Sequence, residues 1–236
     1  MPSNVLPKII IRAQTSEEEF EYLWYVLNRV PFYRKNNYNF EVPHQPEFQH
    51  LVNISPNFDL VDKKSIKDLF IKNIYQPSVF ENGLKELESE RPNIEKCLPT
   101  LINFHNLWDF KIFPKYEITL TLYGPGGSYN GETGKIIIKT RKDGTFERHC
   151  QACTIIHEIV HIGIEQNIVK KYNLDHWEKE RLVDLICSLC FKKYLPEYTM
   201  QQNESVKIDF YIRIDTLNNL PSAVEDYINK YPRKTY

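Results

Sequence analysis

The sequence has no long apolar run and no excess of charge of either sign. No stretch approaches the roughly 18 continuous apolar residues that a membrane-spanning helix needs. The 30 basic and 31 acidic residues give a net charge of −1 and form no basic stripe, which argues against nucleic-acid and membrane partners. The N-terminal residues MPSNVLPKIIIRA lack the features of a secretory signal, so we expect a cytoplasmic protein.

Cysteine is scarce and odd in number. The five cysteines are Cys97, Cys150, Cys153, Cys187 and Cys190. An odd number favours reduced thiols over a disulfide framework. Four of them form two C-x-x-C pairs, a spacing that structural zinc sites also use. The segment between the pairs is longer than in zinc ribbons, and both pairs fall in or beside predicted helices. We therefore expect buried thiols that pack as small apolar side chains.

The composition predicts a packed core. Apolar residues make up 42% of the 236 residues and aromatic residues 13%, which is enough for one large domain or two small lobes. The expected fold class is α+β. The predicted units are an N-terminal α+β region over residues 1–115, a core over 116–195 and a C-terminal extension over 196–236.

Hydrophobic periodicity and chain breakers predict the elements. Residues 32–58 and the glycine-rich segment 124–134 are expected to be irregular. A helix over 94–104 is expected to be weak because Pro99 interrupts it. The predicted strands are 8–12, 117–123 and 135–140, and the other predicted helices are 16–28, 65–75, 80–90, 154–164 and 175–195.

The most informative pattern is His157-Glu158-Ile159-Val160-His161. Residues four apart lie on one face of a helix, so the two histidines can bind one metal ion with Glu158 beside it as a general base. Residues 154–164 are almost all apolar, which predicts a buried helix. Ionisable groups on a buried helix need a partner, and a metal ion would supply one.

A second helix is predicted to supply the remaining ligand. Asp175 and Glu178 form an Asp version of the capping box, so the helix begins there and stops before Pro196. Glu180 and Asp184 are four residues apart and share a face. Two imidazoles and one carboxylate leave a fourth position open, as in catalytic zinc sites. We therefore expect Glu180 as the third ligand and Asp184 as the carboxylate that orients one ligand histidine.

These motifs resemble those of the gluzincin metallopeptidases, in which HExxH is followed by ExxxD on a second helix. His157, Glu158 and His161 match the first motif, and Glu180 and Asp184 match the second. The resemblance covers about residues 117–195. It implies a zincin-like core with a small sheet and two metal-bearing helices, one Zn²⁺ per chain, and hydrolysis of a peptide bond in a protein or peptide substrate.

Such a hydrolase needs a second group to stabilise the oxyanion. Tyr172 and His176 are the candidates because both lie in the predicted link between the two metal-bearing helices, and His149 and Tyr194 are less favoured. His176 also competes with Glu180 as the third ligand. Glu180 is preferred because it lies inside a helix whose packing orients it.

In zincins, an edge strand beside the metal helix pairs with an extended substrate. By this resemblance the cleft would be lined by Ile136, Ile137, Ile138 and Lys139. An ordinary inner strand is an equal alternative. The glycine-rich segment before this strand is expected to be a flap or hairpin loop near the cleft, because a phosphate-binding loop would lead into a helix.

Three functions fit these observations. The first is an intracellular zinc metallopeptidase. The second is a non-catalytic, zinc-stabilised protein-binding module whose surface would be exposed Tyr and Phe side chains in residues 22–58. The third is a toxin or defence effector peptidase with one protein target, which would carry the same motifs as the first. The sequence leaves the oligomeric state open.

Overall fold

A small mixed β-sheet organises the fold. The computed structural model describes residues 5–147, 149–201 and 205–232. The strands are β1 (Lys8–Ala13), β2 (Lys115–Thr121), β3 (Gly127–Asn130) and β4 (Lys135–Lys139). Their order across the sheet is β1-β2-β4-β3. The strands β1, β2 and β4 are parallel, and β3 runs antiparallel to β4. The edges of this sheet are therefore β1 and β3.

Eight α-helices accompany the sheet within the described ranges, so the fold class is α+β, as expected. They are α1 (Ser16–Asn28), α2 (Val30–Lys35), α3 (Pro46–Ile54), α4 (Lys63–Asn73), α5 (Glu81–Trp108), α6 (Gln151–Ile164), α7 (His176–Phe191) and α8 (Leu220–Lys230). In this part of the chain, none of the helices combines the length and apolar character that crossing a bilayer requires.

Helix α5 corrects the expectation of two separate helices. It continues through Pro92 and Pro99. Both prolines are exposed, while Ile94 and Leu98 on the opposite side are fully buried. Each proline removes one backbone hydrogen bond. Burial of a large apolar side chain contributes about 1.5–3 kcal/mol, and the many such residues on the buried face outweigh the loss.

Three other assignments of secondary structure also differ from the sequence prediction. Segment 32–58 was expected to be irregular but contains α3, whose Phe48 and Leu51 are buried against α1 and α4. The glycine-rich segment 124–134 contains β3, because its backbone pairs with β4 without needing large side chains. Helix α7 ends at Phe191, before the expected position, and a turn follows.

Two main hydrophobic clusters form the interior. The larger one takes residues from all three predicted units, among them Ile9, Ile118, Ile156 and Tyr227. The smaller one packs α1, α3 and α4 against the end of β2. The division into three units stays a prediction.

Candidate metal centre

Helix α6 runs through the larger cluster, and every one of its residues is buried. The sulfur of Cys150 caps its first turn by accepting a hydrogen bond from the backbone N–H of Cys153. Near its other end the ring of Phe110 lies so close that a Cβ at Gly163 would overlap it. The helix that carries the predicted metal ligands is thus held on all sides.

Helix α7 begins where the sequence predicts. The Asp175 carboxylate accepts from the backbone N–H of Glu178 at 2.9 Å, and the Glu178 carboxylate accepts from the backbone N–H of Asp175 at 2.9 Å. This capping box fixes the rotation of the helix. Glu180 and Asp184 then face inward and are only 6% and 1% exposed.

His157, His161 and Glu180 converge on one point. The Nε2 atoms of the two histidines are 3.0 Å apart. Glu180 Oε2 lies 3.3 Å from Nε2 of His161 and 3.4 Å from Nε2 of His157. A tetrahedral zinc ion, with bonds of about 2.0–2.2 Å, places its ligand atoms about 3.3 Å apart. The donor set and its spacing therefore fit zinc. Among the described residues, this is the group of side chains that could hold a metal ion.

Asp184 reaches His157 through a residue that the sequence motifs did not reveal. The Tyr198 hydroxyl donates to Asp184 Oδ1 at 2.7 Å and lies 2.7 Å from His157 Nδ1. Since the only hydroxyl proton is used toward Asp184, Nδ1 of His157 must be the donor in the second bond. This leaves Nε2 free to bind a metal. The backbone N–H of Gln201 completes the arrangement by donating to Asp184 Oδ2 at 2.7 Å.

His161 is oriented by packing instead. Its Nδ1 is buried and has no hydrogen-bond partner among the described residues. The ring of Tyr129 stacks on the His161 ring at 5.2 Å, with an angle of 11° between the planes. The Tyr129 hydroxyl donates to Glu165 at 3.1 Å. The two ligand histidines are therefore held by different means, one by a hydrogen-bond relay and one by an aromatic stack.

The electrostatics of the group keep His161 and Glu180 unprotonated near neutral pH, whereas His157 tends to hold a proton. Burial lowers the pKa of His161 to about 4, so its imidazole is neutral near neutral pH. Burial alone would raise the pKa of Glu180, but His161 and His157 together lower it well below its usual range. Burial opposes protonation of His157, yet the Asp184 carboxylate, whose Oδ1 lies 3.4 Å from Nδ1 of His157 behind the Tyr198 hydroxyl, raises its pKa together with other neighbours. A metal ion therefore competes with a proton for this position.

Glu158 lies beside the ligand group and is 7% exposed. The edge strand β3 passes directly over it. A Cβ added at Gly127 would lie 2.6 Å from Glu158 Oε1 and 3.0 Å from Thr154 Cγ2. Only glycine allows the strand and the carboxylate to approach so closely.

The ligand group opens into a cavity of about 440 Å³. One side is the metal wall, formed by His157, Glu158, His161 and Glu180. The other side, the opposing wall, is formed by Tyr25, Arg29, Phe32, Tyr33 and Tyr38. A second cavity of about 520 Å³ adjoins the first, and Lys139 and Glu147 line both. The opposing wall lies within residues 22–58, the segment whose Tyr and Phe side chains the binding-module hypothesis named as its surface.

The two oxyanion candidates occupy different places. His176 lines the cavity, and its Nε2 shares a hydrogen bond of 2.8 Å with the hydroxyl of Tyr38. Its Nδ1 lies 3.8 Å from the second oxygen of Glu180, outside the ligand triangle. Tyr172 packs against the larger hydrophobic cluster and does not line the cavity. The expectation for Tyr172 is therefore corrected: a π-helical turn at Glu165–Lys170 extends α6 and directs the link elsewhere.

The less favoured candidates, His149 and Tyr194, also do not line the cavity. Tyr194 instead packs against the larger cluster.

Of the two alternatives for the expected substrate strand, the structure shows the ordinary inner strand and contradicts the edge strand. Strand β4, with Ile136, Ile137, Ile138 and Lys139, lies inside the sheet between β2 and β3. Its neighbour β3 is the edge strand beside α6. Of the four residues only Lys139 lines the cavity, where it forms an ion pair of 2.9 Å with Glu147. The sequence concealed the edge strand because the four residues of β3, GSYN, include no β-branched residue.

The cysteines depart from the expectation of five thiols. Cys150 and Cys153 form a disulfide, since the first turn of α6 places their side chains next to each other. Cys97, Cys187 and Cys190 are free. The two C-x-x-C pairs thus do not combine into a four-cysteine zinc site.

No protein-family model, curated protein or solved structure matches this chain. Its function is therefore inferred from the residues of the site.

Proposed function

We propose that the protein is a zinc-dependent metallopeptidase with one zinc site formed by His157, His161 and Glu180. The observation that carries this proposal is the triangle of three ligand atoms, 3.0–3.4 Å apart, with Glu158 beside it in a solvent-accessible cavity. A structural zinc site is normally closed by a fourth protein ligand. Among the described His, Cys, Asp and Glu side chains only these three converge here, and the side-chain amide of Gln201 lies 3.2 Å from Glu180 Oε2 at the cavity side.

When bound, zinc supplies Lewis acidity that polarises a carbonyl and makes a neighbouring water more acidic. Glu158 takes the proton of the attacking water on its carboxylate and passes it to the leaving nitrogen of the peptide. The hydrogen-bonded pair of Tyr38 and His176 faces the same cavity and can donate a proton or hydrogen bond toward the developing oxyanion. Tyr38 therefore replaces Tyr172 as the tyrosine proposed to stabilise the oxyanion.

The substrate is proposed to be an extended peptide. Strand β3 is an edge of the sheet, and its first residue, Gly127, touches Glu158. Main-chain pairing with an edge strand is a general mode of peptide binding. The two adjoining cavities give such a chain room on both sides of Lys139. A peptide lying along β3 would pass its backbone over the metal wall.

The test compares zinc-loaded wild type with Glu158→Gln on a degenerate peptide mixture. We expect the variant to keep its zinc, because Glu158 is not a ligand, and to lose about 10² to 10⁴ in cleavage rate. Glu147→Gln is the matched control, since Glu147 also lines the cavity but lies away from the ligand triangle.

Two other results would redirect the proposal. Equal cleavage by wild type and Glu158→Gln would assign the general base to another group. Stoichiometric zinc with no cleavage by the wild type would favour the non-catalytic binding module.

A further inference from the structure

Three cationic side chains line the main cavity, and two of them already have carboxylate partners. Lys139 Nζ lies 2.9 Å from Glu147. Lys179 Nζ lies 3.8 Å from Glu180 and 3.5 Å from the Tyr129 hydroxyl. The third is Arg29. Among the described residues, no carboxylate lies within ion-pair distance of its guanidinium.

The guanidinium of Arg29 is nevertheless held in place. Its central carbon lies 4.3 Å from the ring centroid of Phe32 and 5.8 Å from that of Tyr25. Its Nε is buried and has no hydrogen-bond partner among the described residues. A buried donor without a partner is costly. The ring contacts orient the group but leave that hydrogen-bonding capacity unused.

The position of Arg29 connects it to the proposed chemistry. It lies at the junction of α1 and α2, where its backbone N–H bonds to the carbonyl of Val26 at 2.9 Å. The ring of Phe32, on which it stacks, contacts the ring of His176 at 5.4 Å. Arg29 therefore lines the same cavity as the metal wall and is linked to it through the rings of Phe32 and His176.

We propose that Arg29 binds a carboxylate of the peptide substrate, so that the cavity selects acidic peptides. This inference rests on the proposed function. A guanidinium presents a planar fork of donors that matches a carboxylate in two parallel hydrogen bonds, and the Arg29 side chain lines the cavity without a carboxylate partner among the described residues. The carboxylate belongs either to an Asp or Glu side chain or to the peptide's C-terminus, since both offer the same two oxygens.

The test measures binding to zinc-loaded Glu158→Gln, which separates binding from turnover. The probes are short N-acetylated peptides of one neutral sequence in three forms: with a C-terminal amide, with a free C-terminal carboxylate, and with one internal Glu plus the amide. We expect one carboxylate-bearing form to bind roughly ten- to a hundred-fold more tightly than the neutral amide. The form that gains affinity identifies the source of the carboxylate.

Adding Arg29→Gln should abolish this preference, while Arg29→Lys should retain only part of it, because lysine keeps the charge but not the fork. Arg34→Gln is the matched control. Arg34 belongs to α2 and carries the same charge, but it is exposed and does not line the cavity. It should leave the preference unchanged. Thermal unfolding of each variant checks that the fold is intact.

Equal binding of all three peptides, including no binding of any, would overturn the inference. So would a preference that survives in folded Arg29→Gln. The proposed function is judged separately with Glu158 restored. Selective binding without cleavage would refute the peptidase and leave Arg29 as a carboxylate site, whereas cleavage without selectivity would refute only the role of Arg29.

Discussion

The two sides of the cavity are built differently. The metal wall comes from α6 and α7, and its four residues are 2–7% exposed. The opposing wall comes from α1, α2 and the loop after them, and Tyr25 is 50% exposed. One hydrogen bond, between Tyr38 and His176, joins the two sides. Under the proposed function, the buried wall would perform the chemistry, which needs accurate geometry, and the more exposed wall would perform the recognition.

The largest expected effect is on metal content and is confined to the metal wall. His161→Ala removes one of three ligands, so we expect near-complete loss of stoichiometric zinc. Tyr33→Phe on the opposing wall should keep its zinc. Metal analysis of both purified variants makes this comparison. Full zinc retention in His161→Ala would mean that His161 is not a ligand and that the metal wall is not the zinc site.

The next effect concerns the hydrogen bonds of Asp184 and Tyr198 that orient His157. Asp184→Asn and Tyr198→Phe each break the relay to Nδ1, and we expect zinc affinity to fall roughly ten- to a hundred-fold. Chelator competition measures it. Tyr194→Phe is the control, since Tyr194 is near in sequence but packs against the core. Unchanged affinity in both relay variants would mean that packing alone orients His157, as it does His161.

A smaller effect is expected where β3 crosses the metal wall. Gly127→Ala places a methyl group against Glu158 and Thr154, and the carboxylate must move. We expect about a ten-fold lower cleavage rate with unchanged zinc affinity, because displacement of a catalytic group is costly. Gly126→Ala is the control, since a Cβ there meets nothing within 4 Å. A rate equal to that of the control would show that Glu158 tolerates the shift.

The last effect concerns stability and not the site itself, and it tests how α1 holds the opposing wall. Burial raises the pKa of Glu19 to about 7 from 4.5, although hydrogen bonds from Leu122, Thr121 and Gln14 oppose the shift. The folded chain therefore holds this proton more tightly than the unfolded chain. That stabilisation is complete below about pH 4.5 and is lost as the pH rises through about 7.

As the pH rises from below about 4.5 to above about 7, the deprotonation of Glu19 should lower the free energy of unfolding by roughly 3 kcal/mol. Glu19→Gln has no proton to lose and should show a flatter pH dependence in urea unfolding measured at pH 5 and pH 8. Parallel pH profiles of the wild type and the variant would assign the pH dependence to other groups.

The same contrast separates what could be predicted from what could not. His157, His161 and Glu180 lie on helices whose spacing and capping are local, so their convergence follows from the sequence with only one long-range assumption, that α6 packs on α7. Tyr198 and Arg29 reach the site through tertiary packing, and no local pattern marks them, whereas the glycine-rich pattern predicted that the segment of Gly127 lies near the cleft. The continuity of helix α5 also depends on tertiary packing, because the burial of one face stabilises the helix by more than its two prolines cost.

Parallel pairing of β1 with β2 also bears on the order of folding. It pairs Lys8 with Lys115. The long segment between β1 and β2 must therefore form a closed loop before the two strands can pair. Glu180 follows later still in the chain. During synthesis a nascent chain that ends before α7 has the sheet and two histidines but only two of the three ligands. We expect metal loading to be a late event that secures an already assembled sheet.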